Sequence, residues 1–307
     1  MTVHASLQND IPFHKLHSAG NDFVCVDNLD GRFNGLIKDG HMVDFVRKIC
    51  RRGLGVGADG LILACERGTG AGVDIIARFL EPDGSEAKLC GNGTACFTYW
   101  CVNQGLLDGP QVTILTGAGT ATGRILTDQP LGSVRVCVPN PRHLTWGIEL
   151  MAAGRPWTVD YADTGVPHAV IFPDEPLDTV DVTTYGSAIR HHPRFAPDGV
   201  NANFVEVLAE GHIAVRTFEF GVESETLACG TGSAAAAIVT ALKNRWPKDY
   251  LTGKKPVSAR VRGGATLNVW FELDTTGNVT DVCLETRVVP VYNACLSPEF
   301  LAITHDM

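Results

Sequence analysis

Two short segments hold the residues whose types and spacing suggest chemistry, since each places a cysteine directly before a glycine-rich turn. They read Cys90-Gly91-Asn92-Gly93 and Cys229-Gly230-Thr231-Gly232. Helix-forming residues follow both, so each cysteine is expected at a helix N-terminus, where free N–H groups carry partial positive charge. That position favours a thiolate, and the pKa of each thiol is expected below its ordinary ~8.5. The same N–H groups can bind a carboxylate.

Two such segments facing each other would form a proton-transfer site. A carboxylate held by both helix ends would place the neighbouring carbon between the two sulfurs, so that one thiolate removes its proton and the opposite thiol returns one. The developing enolate needs preorganised donors, which the helix ends supply. On the residues alone, a second interpretation stays open: two glycine-rich strand-to-helix turns with buried structural cysteines.

The two segments belong to an internal repeat. In the first copy a strand-like run ends at Glu81 and Cys90 follows nine residues later; in the second the run ends at Glu219 and Cys229 follows ten residues later. Each copy is predicted to be a strand, a loop, the cysteine turn and a helix. Two similar halves packed face to face would bring the equivalent loops to a central cleft, where ligands commonly bind.

The elements around the repeat indicate an α+β fold with mostly antiparallel sheet. Helices are predicted over 40–51, Thr94–Gln104, 182–191 and Ser233–Lys243. The strand-like runs are FVCVDN, GLILAC, VDIIARFL, QVTILT, SVRVCV, HAVIF, NFVEVL, HIAVRTFEF and TLNVWFEL. A boundary near residue 130 divides the chain into 1–130, with Cys90, and 131–288, with Cys229.

Composition narrows the function classes. The 307 residues are 45% apolar and carry a net charge of −9, which disfavours a general nucleic-acid or anionic-membrane role. No run is long and apolar enough to span a bilayer, and the start, MTVHASLQND, does not resemble a signal peptide, so a cytoplasmic protein is expected. Ten cysteines without a CxxC pair indicate mostly free thiols and no zinc site.

An ordered set of motifs resembles the diaminopimelate epimerase family over about residues 13 to 292. Both cysteine segments belong to the set. The others are His17-Ser18-Ala19-Gly20-Asn21-Asp22-Phe23, Gly55-Val56-Gly57-Ala58-Asp59-Gly60, Asp83-Gly84-Ser85-Glu86, Gly165-Val166-Pro167-His168, Asn201-Ala202-Asn203-Phe204-Val205 and Glu225-Thr226-Leu227-Ala228. The resemblance implies two pseudo-symmetric domains, each a curled sheet around a central helix, with segment 289–307 joining the first.

The resemblance also implies a mechanism and the residues for it. Cys90 and Cys229 would be the two acid–base groups, without pyridoxal phosphate or metal, and with His168 and Glu219 as the polar pair beside them. The implied substrate-binding residues are Asn21, Gly91, Asn92, Asn201, Gly230 and Thr231. The only partner expected is a small amino-acid substrate, and the chain is compatible with a homodimer.

Two departures from the family pattern fall where the distal end of the substrate is expected. Glu81 replaces the usual asparagine, and Phe220 replaces the usual arginine. The first change adds a negative charge and the second removes a bidentate carboxylate partner. The leading hypothesis is epimerisation of L,L-diaminopimelate; a racemase of another amino acid is the alternative. An isomerase of a non-amino-acid substrate is disfavoured by the two cysteines, and a non-enzymatic thiol or zinc protein by the missing CxxC pairs.

Overall fold

The computed structural model describes residues 10–70 and 72–302. Within them the helices are α1 Asn34–Lys38, α2 Met42–Cys50, α3 Gly91–Asn103, α4 Val182–Arg190, α5 Gly230–Lys243 and α6 Pro298–Ala302. The strands are β1 Ile11–Ser18, β2 Asn21–Asp27, β3 Gly60–Gly70, β4 Val73–Leu80, β5 Glu86–Ala87, β6 Gln111–Thr116, β7 Gly119–Ile125, β8 Ser133–Cys137, β9 Arg142–Ala152, β10 Arg155–Asp163, β11 Pro167–Ile171, β12 Asn201–Ala209, β13 His212–Glu219, β14 Ser224–Thr226, β15 Val257–Val261, β16 Thr266–Leu273 and β17 Val279–Leu296.

The first half of the sheet closes into a ring around helix α3. Going round the ring, β1, β2, β3, β4, β6, β7, β8 and β17 pair in that order, and β17 pairs back to β1. The helix inside is buried from Gly91 to Cys101. A helix that is apolar on all sides requires such an enclosure, because no face of it is suited to water.

The second half curls in the same way around helix α5. Strands β9, β10, β11, β12, β13, β15, β16 and β17 pair in that order. Residues Ala234–Ala237 of the helix are fully buried, and their small side chains allow the strands to pack closely. Strand β17 belongs to both halves. Its first residue, Val279, lies opposite Leu273 of β16, and its last residue, Leu296, lies opposite Ile11 of β1.

The internal repeat has a structural counterpart. In the first copy β4 pairs antiparallel with the short β5 and parallel with β6, with α3 in between. In the second, β13 pairs antiparallel with β14 and parallel with β15, with α5 in between. The parallel pairing returns the chain across each helix, so both cysteine turns lie at equivalent places.

The predicted α+β class and the four predicted helices are confirmed. Helices α3 and α5 begin at Gly91 and Gly230, three residues before the predicted Thr94 and Ser233, because the cysteine caps start the helix despite the glycines. The short helices α1 and α6 and several strands, including β9 and β10, were not predicted. The boundaries 1–130, 131–288 and 289–307 stay a prediction.

The cysteines are mostly free thiols, as expected, with one exception. Eight cysteines are free, but Cys137 and Cys283 form a disulfide. The two residues lie opposite each other on the antiparallel strands β8 and β17, with their Cα atoms 4.0 Å apart. Their sequence separation of 146 residues hides this pairing until the register is known.

No helix among residues 10–70 and 72–302 is long and apolar enough to cross a membrane.

Candidate active site

The N-termini of the two central helices meet at the junction of the two halves. Cys90 caps α3 and Cys229 caps α5, both with extended backbone. A methyl group built on Gly230 would lie 3.3 Å from the backbone nitrogen of Asn92 and 3.4 Å from the Cα of Gly91. Glycine therefore permits the two helix ends to approach each other, and their free N–H groups share one space.

The Cys90 thiol has polar contacts on two sides. Its sulfur accepts a hydrogen bond from the Gly93 N–H at 3.3 Å and lies 3.7 Å from the side-chain oxygen of Asn21. The Asn21 amide donates to Asp59 at 2.9 Å and its oxygen accepts from Asn92 at 3.4 Å. Asn21 thus links the cysteine to both the helix end and an acidic side chain, as expected for a residue at the site.

Cys229 lies beside a carboxyl group whose titration is shifted. Its sulfur is 3.7 Å from the hydroxyl of Thr231, and the negative charge of Glu219 raises the pKa of its thiol. Burial raises the pKa of Glu219 to about 7, against the bond that Thr226 donates to it at 2.8 Å. A carboxyl group with that pKa can exchange a proton with its neighbours near neutral pH.

The expectation of low thiol pKa values is wrong for the site as the structure describes it. Burial raises the pKa of Cys90 and of Cys229 well above the ordinary value, and the charge of Glu219 adds to it. The N–H groups of Gly93 and Gly232 lower the two values, but by less. Desolvation of a thiolate therefore outweighs the helix ends, and a bound cationic group would be needed to offset it.

His168 lies on β11 and is fully buried. Burial lowers its pKa to about 3, so the imidazole is neutral. Its Nδ1 is 3.1 Å from the Asn203 amide, and its Nε2 has no partner among the described residues. Asn203 also accepts from Thr217 at 2.9 Å and donates to the Ala169 carbonyl at 2.9 Å, so the histidine ring is oriented by a fixed neighbour.

Asn203 was not predicted as a site residue, although it stands in the motif that contains Asn201. The sequence contained a signal for it, because residues two apart on a strand lie on the same face, and Asn201 and Asn203 therefore point the same way. Asn201 lies at the beginning of β12, on the same face as Asn203. Its oxygen accepts from the Phe220 N–H at 2.7 Å and its amide donates to the Pro167 carbonyl at 3.3 Å, so it fixes the turn after Glu219.

The two departures from the family pattern come close together. The Glu81 carboxyl carbon lies 3.9 Å from a methyl group built on Gly221, the residue after Phe220. Burial raises the pKa of Glu81 to about 8, and the charges of Glu219, Asp83 and Asp59 contribute. The Phe220 ring is 51% exposed.

A cation lies against this ring, on a helix that was predicted from the sequence but was not connected with the site. The Arg190 guanidinium of α4 lies 4.0 Å from the centroid of the Phe220 ring. Arg190 is itself buried and bonds to Glu223 at 3.3 Å and to the Asp198 carbonyl at 3.0 Å. Arg78, on β4 just before Glu81, pairs with Glu86 at 2.7 Å.

No group of three or more His, Cys, Asp and Glu side chains in residues 10–70 and 72–302 is arranged to hold a metal ion. The site described above consists of two thiols, two helix ends, a neutral imidazole and two carboxyl groups with raised pKa values.

The chain is similar to known proteins over most of its length. The family model of diaminopimelate epimerase matches residues 13–139 and 161–280. The chain is 38% identical over 292 residues to the diaminopimelate epimerase of Aquifex aeolicus, covering 94% of this chain and 99% of that relative. It is 35% identical over 260 residues to the enzyme of Chlorobaculum tepidum, covering 83% and 91%.

Solved structures share the fold at low sequence identity. A probable proline racemase from Agrobacterium radiobacter has a TM-score of 0.70 at 16% identity, covering 94% of this chain and 93% of that one. A PhzF-family phenazine biosynthesis protein of Bacillus anthracis also has a TM-score of 0.70, at 17% identity, with 94% and 99% covered. With the two-cysteine geometry and the family match together, the chain belongs to the diaminopimelate epimerase family.

Proposed function

We propose that this isomerase inverts an amino-acid α-carbon with Cys90 and Cys229 as its two acid–base groups, and that L,L-diaminopimelate, converted to the meso form, is its substrate. The observation that carries the proposal is the meeting of two cysteine-capped helix ends at one space. The substrate is taken from the name of the relatives, which cover most of this chain.

The proposed reaction needs no electron transfer, only two proton movements. The substrate carboxylate binds the free N–H groups at Gly91, Asn92, Gly230 and Thr231, which also stabilise the charge that develops when the α-proton leaves. One cysteine, as thiolate, accepts that proton. The opposite thiol donates its own proton to the other face of the carbon, so the configuration inverts and the two cysteines exchange protonation states.

Glu219 is proposed to make the thiolate available at Cys229. Burial raises the pKa values of both thiols, so the free thiolate is disfavoured, but the nearby Glu219 carboxylate, with a pKa of about 7, is the group that would accept the thiol proton. The substrate ammonium would then offset the remaining negative charge. His168, neutral and held by Asn203, would orient polar groups rather than carry charge.

A solvent-exchange assay tests the proposed function. Reduced protein is incubated in D₂O with L,L-diaminopimelate and, separately, with each common L-amino acid, without added pyridoxal phosphate or metal. Deuterium should enter the α-position of diaminopimelate together with formation of the meso isomer. An absence of α-deuterium in every amino acid would contradict the proposal.

A second candidate, a racemase of another amino acid, is favoured by the distal residues. Glu81 is a half-buried carboxyl group without a side-chain hydrogen bond among the described residues, and Phe220 offers no charge to a distal carboxylate. Arg190 is the cation nearest to Phe220, but Glu223 already pairs with it. With a pKa of about 8, Glu81 is mostly protonated near neutral pH, so a polar or apolar distal group suits this environment, and a cationic group would favour its ionised form.

The double variant Glu81→Asn, Phe220→Arg separates the two substrates. If the native substrate lacks a distal carboxylate, the variant should gain at least tenfold in kcat/KM for diaminopimelate relative to that substrate, because a recovered charge-assisted pair contributes about 1.5–3 kcal/mol. Efficient turnover of diaminopimelate by the wild type, with a poorer double variant, would reject the second candidate and leave Arg190 as the cation to test.

The cytoplasmic location, the homodimer and the independence from cofactors stay predictions. An isomerase of a non-amino-acid substrate and a non-enzymatic thiol protein have no observation in their favour.

A further inference from the structure

A groove of about 450 Å³ lies on the outer face of the sheet, away from the proposed active site. Arg135 and Cys137 of β8, Arg124 of β7 and Glu285 of β17 line one side of it. The segment 125–129 forms part of the remaining wall. Along β8 the alternate residues Val134 and Val136 are buried in the core, so the groove-lining residues are those that face outward.

The disulfide Cys137–Cys283 belongs to this outer face. Both residues are only half-buried, and Cys137 lines the groove. Thiol–disulfide exchange requires that an attacking sulfur reach the bond, and accessible disulfides are the ones that exchange. A disulfide used only to stabilise the fold would be better placed among the buried residues of β8 and β17.

The groove is lined by two arginines, Arg124 and Arg135, and by two acidic residues, Asp128 and Glu285, so its formal charge is balanced. Arg124 and Arg135 lie directly opposite each other on paired strands, where like charges are destabilising. Arg135 is neutralised by Glu285 and lies 4.9 Å from the Trp270 ring centroid. Within residues 10–70 and 72–302, the Arg124 guanidinium forms no ion pair. An anion in the groove would pair with Arg124.

We propose that the groove binds small anionic thiols, which exchange with the Cys137–Cys283 disulfide. The bound thiolate attacks one cysteine sulfur, forming a mixed disulfide and releasing the other cysteine as a thiolate. A second thiol molecule attacks the mixed disulfide, so two thiols are oxidised to one small disulfide and the protein disulfide is reduced to two thiols. Arg124 favours both the anionic group and the attacking thiolate.

Strand β17 connects this disulfide to the proposed active site. The residue after Cys283, Leu284, has its Cδ1 3.1 Å from a methyl group built on Gly91, at the N-terminus of α3. Thr286, two residues further, lies 2.6 Å from the Ser18 hydroxyl, which donates to Asn92 at 3.4 Å. Reduction removes the covalent link between β17 and β8 and leaves the strands held by their antiparallel pairing alone, so the α3 end loses part of its support. This transmission rests on the proposed function, whereas the exchange chemistry does not.

The exchange is tested with two thiols of similar size and different charge. The full chain, purified without reductant, is treated with 3-mercaptopropionate or with 2-mercaptoethanol, and the free thiols are located by alkylation and peptide mapping. For the anionic thiol, Arg124→Gln should lower the rate of Cys137–Cys283 reduction about threefold to tenfold, with little change for the neutral one. High salt should do the same to the wild type, which keeps the test valid if the variant folds poorly.

Two results would overturn the exchange site. The first is an equal effect of Arg124→Gln on both thiols together with no salt dependence. The second is a mapping experiment in which Cys137 and Cys283 are already alkylated before any thiol is added.

The transmission is tested on the double variant Cys137→Ser, Cys283→Ser. Its kcat/KM in the α-deuterium assay should fall at least threefold, and 3-mercaptopropionate should have no further effect. Cys295→Ser, an exposed free cysteine on the same strand, is the matched control and should behave as wild type. Thiol treatment would raise activity if it reduced a disulfide between the two active-site cysteines. A loss of activity in the treated wild type therefore comes from reduction of the Cys137–Cys283 disulfide on β17. Unchanged kcat/KM in the double variant and in the treated wild type would overturn the transmission.

Discussion

Replacing Gly232 with alanine tests how tightly the second cysteine turn is packed. A methyl group there would lie 2.3 Å from the side-chain oxygen of Asn203 and 3.1 Å from the Cys229 sulfur. The asparagine cannot turn away easily, because Thr217 donates to this oxygen at 2.9 Å and its amide bonds to the Ala169 carbonyl. The turn or the asparagine must therefore move by about 1 Å to reach ordinary contact distances.

The size of the effect follows from that displacement. Overpacking of this kind costs about 1–3 kcal/mol of stability, and alanine's better helix propensity offsets up to about 1 kcal/mol of it. A shift of about 1 Å at a reacting sulfur can lower the rate about 100-fold. We expect Gly232→Ala to lose about two orders of magnitude in kcat while unfolding remains cooperative.

Gly93 provides a matched control, since it occupies the equivalent place in the first copy of the repeat. A methyl group on Gly93 would meet the Phe79 ring at 3.1 Å and the Cys90 Cβ at 3.3 Å, so a movement of a few tenths of an ångström relieves it. Gly93→Ala should therefore lose no more than about tenfold in rate. Rates come from α-deuterium incorporation and stabilities from urea unfolding. If Gly232→Ala kept at least half of the wild-type rate and stability, or if Gly93→Ala were the more damaged variant, the packing argument would be refuted.

Three further results are expected. The folded-state pKa of Glu81, about 8, lies above its unfolded value, so the stability it contributes is present at low pH and is lost as pH rises from about 4.5 through 8. Glu81→Gln should therefore make the thermal unfolding midpoint depend less on pH over this range. An unchanged slope of midpoint against pH would contradict the shifted pKa. Asn203→Leu should lower the free energy of unfolding by about 2–4 kcal/mol, because it leaves several buried hydrogen-bond partners unsatisfied. The control Asn244→Ala loses one hydrogen bond at an exposed helix end and should cost less than about 1 kcal/mol. Similar losses in both variants would show that the hydrogen bonds of Asn203 do not contribute as described. Mild oxidation should join Cys90 to Cys229 and stop turnover until dithiothreitol is added, and peptide mapping that finds neither cysteine in a disulfide would count against their facing geometry.

Much of the site could be predicted from the sequence, because short-range sequence patterns determine where its two cysteines lie. A cysteine before a glycine-rich turn caps a helix in both copies of the repeat, so Cys90 and Cys229 could be placed at helix N-termini before the fold was known. The repeat also predicted that the two turns would be equivalent. Runs rich in Val, Ile and Phe, bounded by Gly, Pro, Asn or Asp, identified strands such as β4 and β13.

Properties that depend on distant residues could not be predicted in the same way. Burial of the two thiols arises from the closed sheets, and it reverses the direction of the pKa shift that a helix N-terminus alone suggests. The Cys137–Cys283 disulfide depends on the register of two strands far apart in sequence. Arg190 reaches Phe220 because α4 packs beside β13 and β14, and no motif connects the two residues.

The central claim, that two thiols on opposite faces of one carbon invert it, is tested most directly with single cysteine variants. Cys90→Ala, Cys229→Ala and the control Cys295→Ser are incubated with L,L-diaminopimelate in D₂O, and both α-deuterium and the meso isomer are measured. We predict that Cys295→Ser forms the meso isomer at the wild-type rate and that neither alanine variant forms it measurably, because inversion needs an acid and a base on opposite faces. Formation of the meso isomer at the wild-type rate by either alanine variant would contradict the account.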